Sequence, residues 1–204
     1  EELREIFQSR RVDQEWSREE RDLSSFRITE NADGVNRGDR RAIYYLLRRL
    51  GARSALEIGT HIGASTAYTA AALVHNCSFA SGESPRLTTV DVIDVNDEES
   101  GPWKRRGSMN SPRAIISKMG AASWVNFVKA ASLDYFQRCT ARFDFIFLDG
   151  DHTGKTVYRE IPAALGLLNS GGAILLHDYF PEAKGLWRGR APSRPGPGRT
   201  CRSG

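Results

Sequence analysis

The residues best suited to chemistry come directly after short apolar runs. Glu57 and the stretch 59–63 end the segment SALEIGTHIG, and Asp91 follows LTTV. Farther along, residues 149–152 (Asp-Gly-Asp-His) follow FDFIFL, and residues 177–178 (His-Asp) follow GGAILL. Carboxylates and imidazoles gathered in one place can bind hydroxyl groups and move protons, and carboxylates also hold hard cations such as Mg²⁺. The pattern therefore indicates one site assembled from distant parts of the chain.

The glycines at 59 and 63 suit a tight turn between a strand and a helix. Such a turn lets a ligand approach the backbone, and the helix behind it offers free N–H groups and a positive dipole end to an anion. The spacing is ExGxxxG rather than GxGxxG, and no Gly-Lys-Ser/Thr follows. These differences disfavour a nicotinamide dehydrogenase and a P-loop protein, and they leave a plain turn as the alternative.

The elements that position these residues alternate between strand and helix. Apolar runs bounded by turn residues predict strands, and apolar stripes at helical spacing predict helices. Alternation of this kind is typical of a parallel sheet covered by helices on both faces, which is an α/β, three-layer αβα architecture. Ligands bind beyond the carboxyl ends of such strands. The predicted helices include 1–22, 39–50 (capped by Asp39), 64–75 and 112–119, and the predicted strands are 54–59, 87–92, 124–130, 143–150 and 171–180.

Composition limits the classes of protein that fit. The 204 residues carry a formal charge of +4, but residues 184–204 hold six basic residues and no acid, so residues 1–183 carry about −2. The basic character thus belongs to the tail and does not indicate a nucleic-acid-binding face. The widely spaced Cys77, Cys139 and Cys201 suggest neither a disulfide framework nor a zinc site.

The same reasoning predicts three segments and a location. Residues 1–37 are expected to form a helical and loop segment, 38–181 the single domain, and 182–204 a disordered Gly/Pro/Arg-rich tail. No run of apolar residues is long enough to span a membrane, and the first residues lack the apolar core of a signal peptide. We therefore expect a cytoplasmic protein without a membrane contact.

Four motifs in order give the chain a family resemblance. The stretch EIGTHIGAST, the acid in TVDV, FDFIFLDGDH and GGAILLHDY together resemble class I S-adenosylmethionine-dependent methyltransferases. They are most similar to the small-molecule O-methyltransferases that include the catechol, caffeoyl-CoA and macrolide-sugar enzymes. The resemblance covers about residues 38–180. It implies a Rossmann-like, doubly wound sheet with strand order 3-2-1-4-5, and methyl transfer to a hydroxyl of a small molecule.

The resemblance also implies roles for individual residues. Asp149 and Asp178 match carboxylate ligands of a catalytic Mg²⁺. Apart from the resemblance, His152 and His177 are candidate proton acceptors, because an imidazole can take up a proton near neutral pH. We expect His152, together with Asp149, to form the catalytic pair. The residues that match the S-adenosylmethionine site are Glu57, Gly59, His61, Gly63 and Ser65 for the methionine end (Ser65 for its carboxylate), Asp91 for the ribose and Ser132 for the adenine.

Some features depart from the family pattern and keep alternatives open. Tyr179 stands where the metal-binding relatives have Asn, and residues 151–152 (Asp-His) stand where they have a lysine, so reactions with and without Mg²⁺ both remain. The relatives' sheet continues with two further strands, which we expect to be missing here, and the open edge that results would favour a homodimer. The alternative functions are an inactive or truncated cofactor-binding scaffold and an RNA methyltransferase. The latter would need an Asn/Asp-Pro-Pro-aromatic run after strand four.

Overall fold

The computed structural model describes residues 7–28, 35–77 and 84–177. The predicted disordered tail, the expected loss of two family strands, and Asp178 all lie outside these residues. The helices, in chain order, are α1 (Arg10–Ser24), α2 (Arg37–Leu50), α3 (Ala64–Cys77), α4 (Pro102–Arg105), α5 (Pro112–Lys118), α6 (Ser132–Arg138) and α7 (Gly154–Gly166), and the strands are β1 (Ser54–Ile58), β2 (Arg86–Asp91), β3 (Val125–Lys129), β4 (Phe143–Leu148) and β5 (Leu168–Leu176).

The five strands form one parallel sheet in the order β3-β2-β1-β4-β5. The predicted Rossmann-like order is therefore confirmed. β1 lies in the middle, paired with β2 on one side and β4 on the other. All of its residues are buried, which explains why its sequence lacks the polar alternation of a strand with one face in water.

Two apolar clusters cover the two faces of the sheet, as the predicted three-layer architecture requires. Successive side chains of a strand point to opposite faces. Phe145 and Phe147 of β4 accordingly pack with α2 and α3, while Ile146 and Leu148 pack with Phe136 of α6 and Ala164 of α7. The alternation of β4 between these clusters accounts for the apolar run from Phe145 to Leu148.

Helix α1 packs on the helices that cover the first of these faces. Trp16 lies 5.7 Å from the ring of Tyr44 on α2 and 4.8 Å from the ring of Tyr68 on α3, measured between centroids. The buried guanidinium of Arg48 also bonds Glu15 through Nε at 2.7 Å. The helix predicted over residues 1–22 is therefore found in part. It runs from Arg10 to Ser24, residues 7–9 precede it without helical structure, and residues 1–6 lie outside the described ranges.

Helix α2 begins earlier than its predicted start at residue 39. Asn36 caps it, because the Oδ1 atom of Asn36 accepts hydrogen bonds from the backbone N–H groups of Gly38 (2.8 Å) and Asp39 (3.1 Å). The predicted capping role of Asp39 is therefore wrong. Asp39 lies in the first turn, where a negative charge is favourable, and its Oδ2 atom lies 3.1 Å from Nε2 of His177, directly after β5.

Strand β5 also begins earlier than predicted, at Leu168 rather than residue 171. Leu168 pairs with Phe143, and the register then shifts before Ala173 pairs with Phe145. Gly172 permits this irregularity, since a Cβ atom there would lie 2.7 Å from the carbonyl oxygen of Asp144. Leu168, which continues the apolar pattern of the preceding helix, thus belongs to the strand.

No helix in the described part of the chain is long and apolar enough to cross a membrane.

Candidate active site

A cavity of about 380 Å³ lies at the carboxyl ends of β1 to β4. This is the edge of a parallel sheet where ligands bind, and the volume falls in the range of small-molecule sites. Residues that follow four different strands meet there, as predicted. The lining residues include Val35, Gly59, Thr60, His61, Ser65, Asp91, Val92, Arg106, Ala130, Ser132, Asp149, Asp151 and His152.

The loop after β1 passes close to the loop after β4, and only glycine fits at residue 59. Gly59 has a φ of +97°, and an added Cβ would lie 2.1 Å from the carbonyl oxygen of Asp149. Its N–H donates to the carbonyl of Val90 at 2.8 Å, and the Asp149 N–H donates to the carbonyl of Ile58 at 2.8 Å. These hydrogen bonds hold the loop after β1 against the ends of β2 and β4, so that the loop does not fill the cavity.

Gly63 serves packing rather than the cavity wall. Its φ is +78°, and an added Cβ would lie 2.8 Å from the Cβ of Pro112, the first residue of α5. The close approach brings the segment between β2 and α5 down onto the glycine loop. Arg106, from that segment, lines the cavity.

Asp91, at the end of β2, fixes the glycine loop and faces the cavity. Its Oδ2 accepts hydrogen bonds from the N–H groups of Thr60 (3.1 Å) and His61 (3.0 Å), and its Oδ1 accepts one from Ile93 (3.2 Å). A carboxylate has about four acceptor positions. The three backbone bonds therefore leave room for a further donor such as a ligand hydroxyl.

Glu57 lies beneath the glycine loop rather than in the cavity wall. It is 1% exposed, and its Oε2 accepts hydrogen bonds of 2.6 Å from the hydroxyls of Thr66 and Thr89. Thr60 joins the same network through Thr89. Burial raises the pKa of Glu57 to about 7, against the opposing effect of hydrogen bonds from Ser65, Thr66 and Thr89. The three threonines were not identified from the sequence as functional residues, although they lie within the motifs EIGTHIGAST and TVDV.

The opposite wall of the cavity is formed by Ala130 and Ser132 at the start of α6. Behind Ser132 lies Glu160 of α7, which is 1% exposed. Burial raises the pKa of Glu160, while a hydrogen bond from the Ser132 hydroxyl lowers it. The buried acid thus supports the position of the predicted adenine residue from behind.

The carboxylate of Asp149 lies near the imidazole rings of His177 and His152. Its Oδ1 atom is 2.8 Å from Nδ1 of His177 and 3.8 Å from Nε2 of His152, and its side chain is only 13% exposed. Nε2 of His177 in turn lies 3.1 Å from Oδ2 of Asp39. The predicted pair of Asp149 and His152 is therefore brought together. The additional contact with Asp39 was not found from the sequence, since no local pattern links residues 138 positions apart.

Asp151 stabilises the start of α7, and its carboxylate oxygens accept hydrogen bonds from that helix. Its Oδ1 accepts from the Thr153 N–H at 3.0 Å, and its Oδ2 accepts from the Thr156 hydroxyl at 2.7 Å and the Thr153 hydroxyl at 3.1 Å. These hydrogen bonds lower the pKa of Asp151. Asp151 therefore stabilises the start of α7.

The described residues do not by themselves assemble a magnesium site. Mg²⁺ prefers oxygen ligands in octahedral geometry, whereas the contacts of Asp149 are with two histidines. Across 7–28, 35–77 and 84–177, no group of three or more His, Cys, Asp or Glu residues is arranged to hold a metal ion. Asp178, the second predicted ligand, lies outside these ranges.

Most of the predicted site residues meet in one place. Two of them, Glu57 and Gly63, support the cavity from behind its wall. The predicted residues that line the cavity are Gly59, His61, Ser65, Asp91, Ser132, Asp149 and His152.

Comparisons with known proteins identify the family of the chain. A family model described as a methyltransferase domain matches residues 56–179. Among solved structures, the O-methyltransferase TomG from Streptomyces achromogenes, in complex with SAM, is 21% identical with a TM-score of 0.54, and the match covers 83% of this chain and 65% of TomG. The O-methyltransferase from Bacillus cereus, in complex with SAH, is 22% identical with a TM-score of 0.53, and the match covers 80% of this chain and 65% of that one.

The match to a methyltransferase from Podospora anserina, bound to SAH, has a TM-score of 0.56 at 18% identity and covers 83% of this chain and 62% of that one. At these identities the structures show the shared fold, and the chain spans less than two thirds of each of them. The family match covers more than half of the chain and includes the motifs around the cavity. The chain therefore belongs to the methyltransferase-domain family, as its sequence predicted.

Proposed function

We propose that the chain binds S-adenosylmethionine in the cavity and transfers its methyl group to a hydroxyl of a small molecule. The observation that carries this proposal is the convergence of the glycine loop, Asp91, Ser132 and the Asp149–His152 pair on one cavity. The O-methyltransferases among the similar structures support the choice of cofactor and reaction.

The cofactor would lie across the ends of β1 and β2. The glycine loop and Ser65 would receive the methionine end, since Ser65 is at the N-terminus of α3, where free N–H groups favour a carboxylate. The remaining acceptor position of Asp91 would bind a ribose hydroxyl. Ala130 and Ser132 would contact the adenine. In this orientation the methyl group would point toward Asp149.

The reaction would depend on alignment and on removal of one proton. The acceptor oxygen forms a bond to the methyl carbon while the bond from carbon to sulfur breaks, and the sulfur keeps the electron pair as S-adenosylhomocysteine. The methyl group is already activated by the sulfonium, so the protein mainly holds the two reactants in line. His152 would accept the hydroxyl proton, and the carboxylate of Asp149, 3.8 Å from Nε2 of His152, would stabilise the imidazolium that forms.

Mg²⁺ assistance is the finer part of the proposal. The ion would bind through Asp149 and Asp178 and lower the pKa of the acceptor hydroxyl. Titration of the protein with S-adenosylhomocysteine, with and without Mg²⁺, would measure cofactor binding and show separately whether that binding changes with the ion. The homodimer and the cytoplasmic location expected from the sequence also remain predictions.

The function itself is tested by calorimetry followed by a turnover assay. We expect S-adenosylhomocysteine to bind, and methyl transfer to appear with a hydroxyl compound from a panel of catechols and sugars. Binding without turnover on any hydroxyl acceptor would favour the cofactor-binding scaffold. A salt-sensitive shift of RNA would favour the RNA methyltransferase. Absence of binding at saturating S-adenosylhomocysteine would contradict the proposal.

A further inference from the structure

The ring of His177 lies between two carboxylates that are far apart in the sequence, Asp39 and Asp149. Its Nδ1 lies 2.8 Å from Oδ1 of Asp149 at the cavity, and its Nε2 lies 3.1 Å from Oδ2 of Asp39 on α2. The side chain of His177 is 17% exposed, and its backbone N–H is bonded to the carbonyl of Leu148 at 3.0 Å. The backbone is therefore fixed by the sheet, and the orientation of the ring is set by its two edges.

Asp39 is itself held in place. Asn36 caps α2 and donates its side-chain amide to Oδ2 of Asp39, the same oxygen that faces His177. Asp39 is 38% exposed and is not among the residues that line the cavity. Any effect it has on the cavity must therefore act through another side chain.

Packing alone leaves the ring of His177 with two usable orientations. Its described aromatic neighbours are Phe147, at 6.0 Å between centroids, and His152, at 6.5 Å. Contacts at such distances do not distinguish one imidazole nitrogen from the other. The carboxylates at its two edges do, because turning the ring over would replace both the Nε2–Asp39 and the Nδ1–Asp149 contacts with C–H groups. A partner at one nitrogen of an imidazole thus helps to fix what the other nitrogen faces.

We propose that Asp39 is a positioning residue, which holds Nε2 of His177 so that Nδ1 stays against Asp149. Through this contact, helix α2 sets the direction of the Asp149 carboxylate in the cavity. The inference rests on the proposed function, because it concerns the end of the cavity where the acceptor hydroxyl would bind. Its geometric part is independent of which acceptor is used.

The first test observes the ring directly. The chain has four histidines, so nitrogen-15 labelling of histidine gives a small set of ring signals that substitution can assign. Asp39→Ser keeps a residue favourable at a helix start but is too short to reach His177, and Asp39→Asn keeps an oxygen acceptor. Asp13→Ser is the matched control, because Asp13 also contacts α2, through Arg41 and Tyr45.

We expect Asp39→Ser to move the Nδ1 signal of His177 toward its position in Asp149→Asn, while Asp39→Asn and Asp13→Ser leave it near the wild-type position. An unchanged Nδ1 signal in Asp39→Ser would overturn the proposal, whether or not the protein binds the cofactor. A failure of the proposed function would instead appear as absence of S-adenosylhomocysteine binding in the wild type.

The second test uses turnover on an acceptor from the catechol and sugar panel. Asp39→Ser should lower kcat by about tenfold, a magnitude typical of lost support behind a site, with the KM for S-adenosylmethionine unchanged. Asp39→Asn should restore most of kcat. Equal kcat in wild type and Asp39→Ser, or a loss that Asp13→Ser reproduces, would show that Asp39 only stabilises its helix and would overturn the positioning role.

Discussion

The carbonyl oxygen of Asp149 occupies the space that a side chain at residue 59 would need, since a Cβ atom on Gly59 would lie 2.1 Å from it. The two residues follow the neighbouring strands β1 and β4. Their close approach keeps the two loops together at the floor of the cavity. It connects the first motif of the sequence with the third, through backbone rather than through side chains.

Replacing Gly59 with alanine should therefore remove cofactor binding as well as stability. The variant would place a methyl group against backbone and also force a φ of +97° on a residue with a side chain. We expect binding of S-adenosylhomocysteine to be lost in calorimetry and the free energy of unfolding to fall by about 3 kcal/mol or more.

Gly51→Ala is the control for this prediction. Gly51 also has a positive φ, +62°, but an added Cβ there meets nothing within 4 Å. That variant should lose about 1 kcal/mol of stability and keep its affinity for S-adenosylhomocysteine. Equal effects of the two substitutions would show that conformation alone, and not the contact with Asp149, makes glycine necessary.

Replacing Asp91 should weaken the cofactor complex. Asp91→Ala removes two backbone hydrogen bonds of the glycine loop and one from Ile93, together with the proposed ribose contact. We expect the Kd for S-adenosylhomocysteine to rise by about 100-fold, since a hydrogen bond to a charged group contributes about 1.5–3 kcal/mol. Asp94→Ala is the control, because Asp94 accepts from the Asn96 N–H in the same segment and is not a lining residue. If the two variants bind equally well, Asp91 does not hold the cofactor.

Glu57 should make stability depend on pH. Its pKa rises from an ordinary 4.5 to about 7 in the folded protein, mainly because of burial, so the unfolded chain ionises first as the pH increases. The folded state therefore binds the extra proton between these values, and stability falls as the pH rises through that window. The loss should amount to about 3 kcal/mol and level off above the folded pKa.

Glu57→Gln is the variant that isolates this effect. It keeps an oxygen acceptor for Thr66 and Thr89 but does not titrate. Urea unfolding of both proteins between pH 5 and pH 8 should show wild type losing stability relative to Glu57→Gln as the pH rises. A difference that stays constant, or that changes in the opposite direction, would mean that the folded pKa is not raised.

Removal of the proposed base should affect turnover and spare cofactor binding. His152→Gln keeps a polar side chain of similar size but cannot accept the hydroxyl proton as imidazole does. We expect kcat to fall by about 100-fold or more, while the Kd for S-adenosylhomocysteine stays within a factor of about two. His75→Gln is the control, because His75 is paired with Glu19 away from the cavity. Full turnover in His152→Gln would assign proton removal to another group.

Much of the fold could be predicted because the strands carry their own signal. Strand β4 is apolar except for Asp144, and five of its six residues are buried. An acid that directly follows such a strand is expected at the carboxyl-end edge of the sheet. The motif residues Gly59, Asp91 and Asp149 could therefore be placed together before any coordinates were known. Their order along the sheet came from the family resemblance, and the structure confirms it.

The remaining features depend on contacts that no local pattern encodes. The start of α2 was misplaced because Asn36 and Asp39 are both good capping residues, and only the two backbone bonds to Asn36 decide between them. The start of β5 was misplaced because a glycine pair reads as a boundary, whereas the strand continues through an irregularity at Gly172. The contact between Asp39 and His177 is entirely tertiary.

The central claim is that one nucleoside binds across the ends of β1 and β2, and a crystal structure of the protein grown with saturating S-adenosylhomocysteine tests it most directly. The account predicts ribose hydroxyls within about 3 Å of the Asp91 carboxylate, the methionine end at Ser65 and the sulfur facing Asp149. A cavity that stays empty at saturation, or a ligand bound elsewhere on the protein, would contradict it.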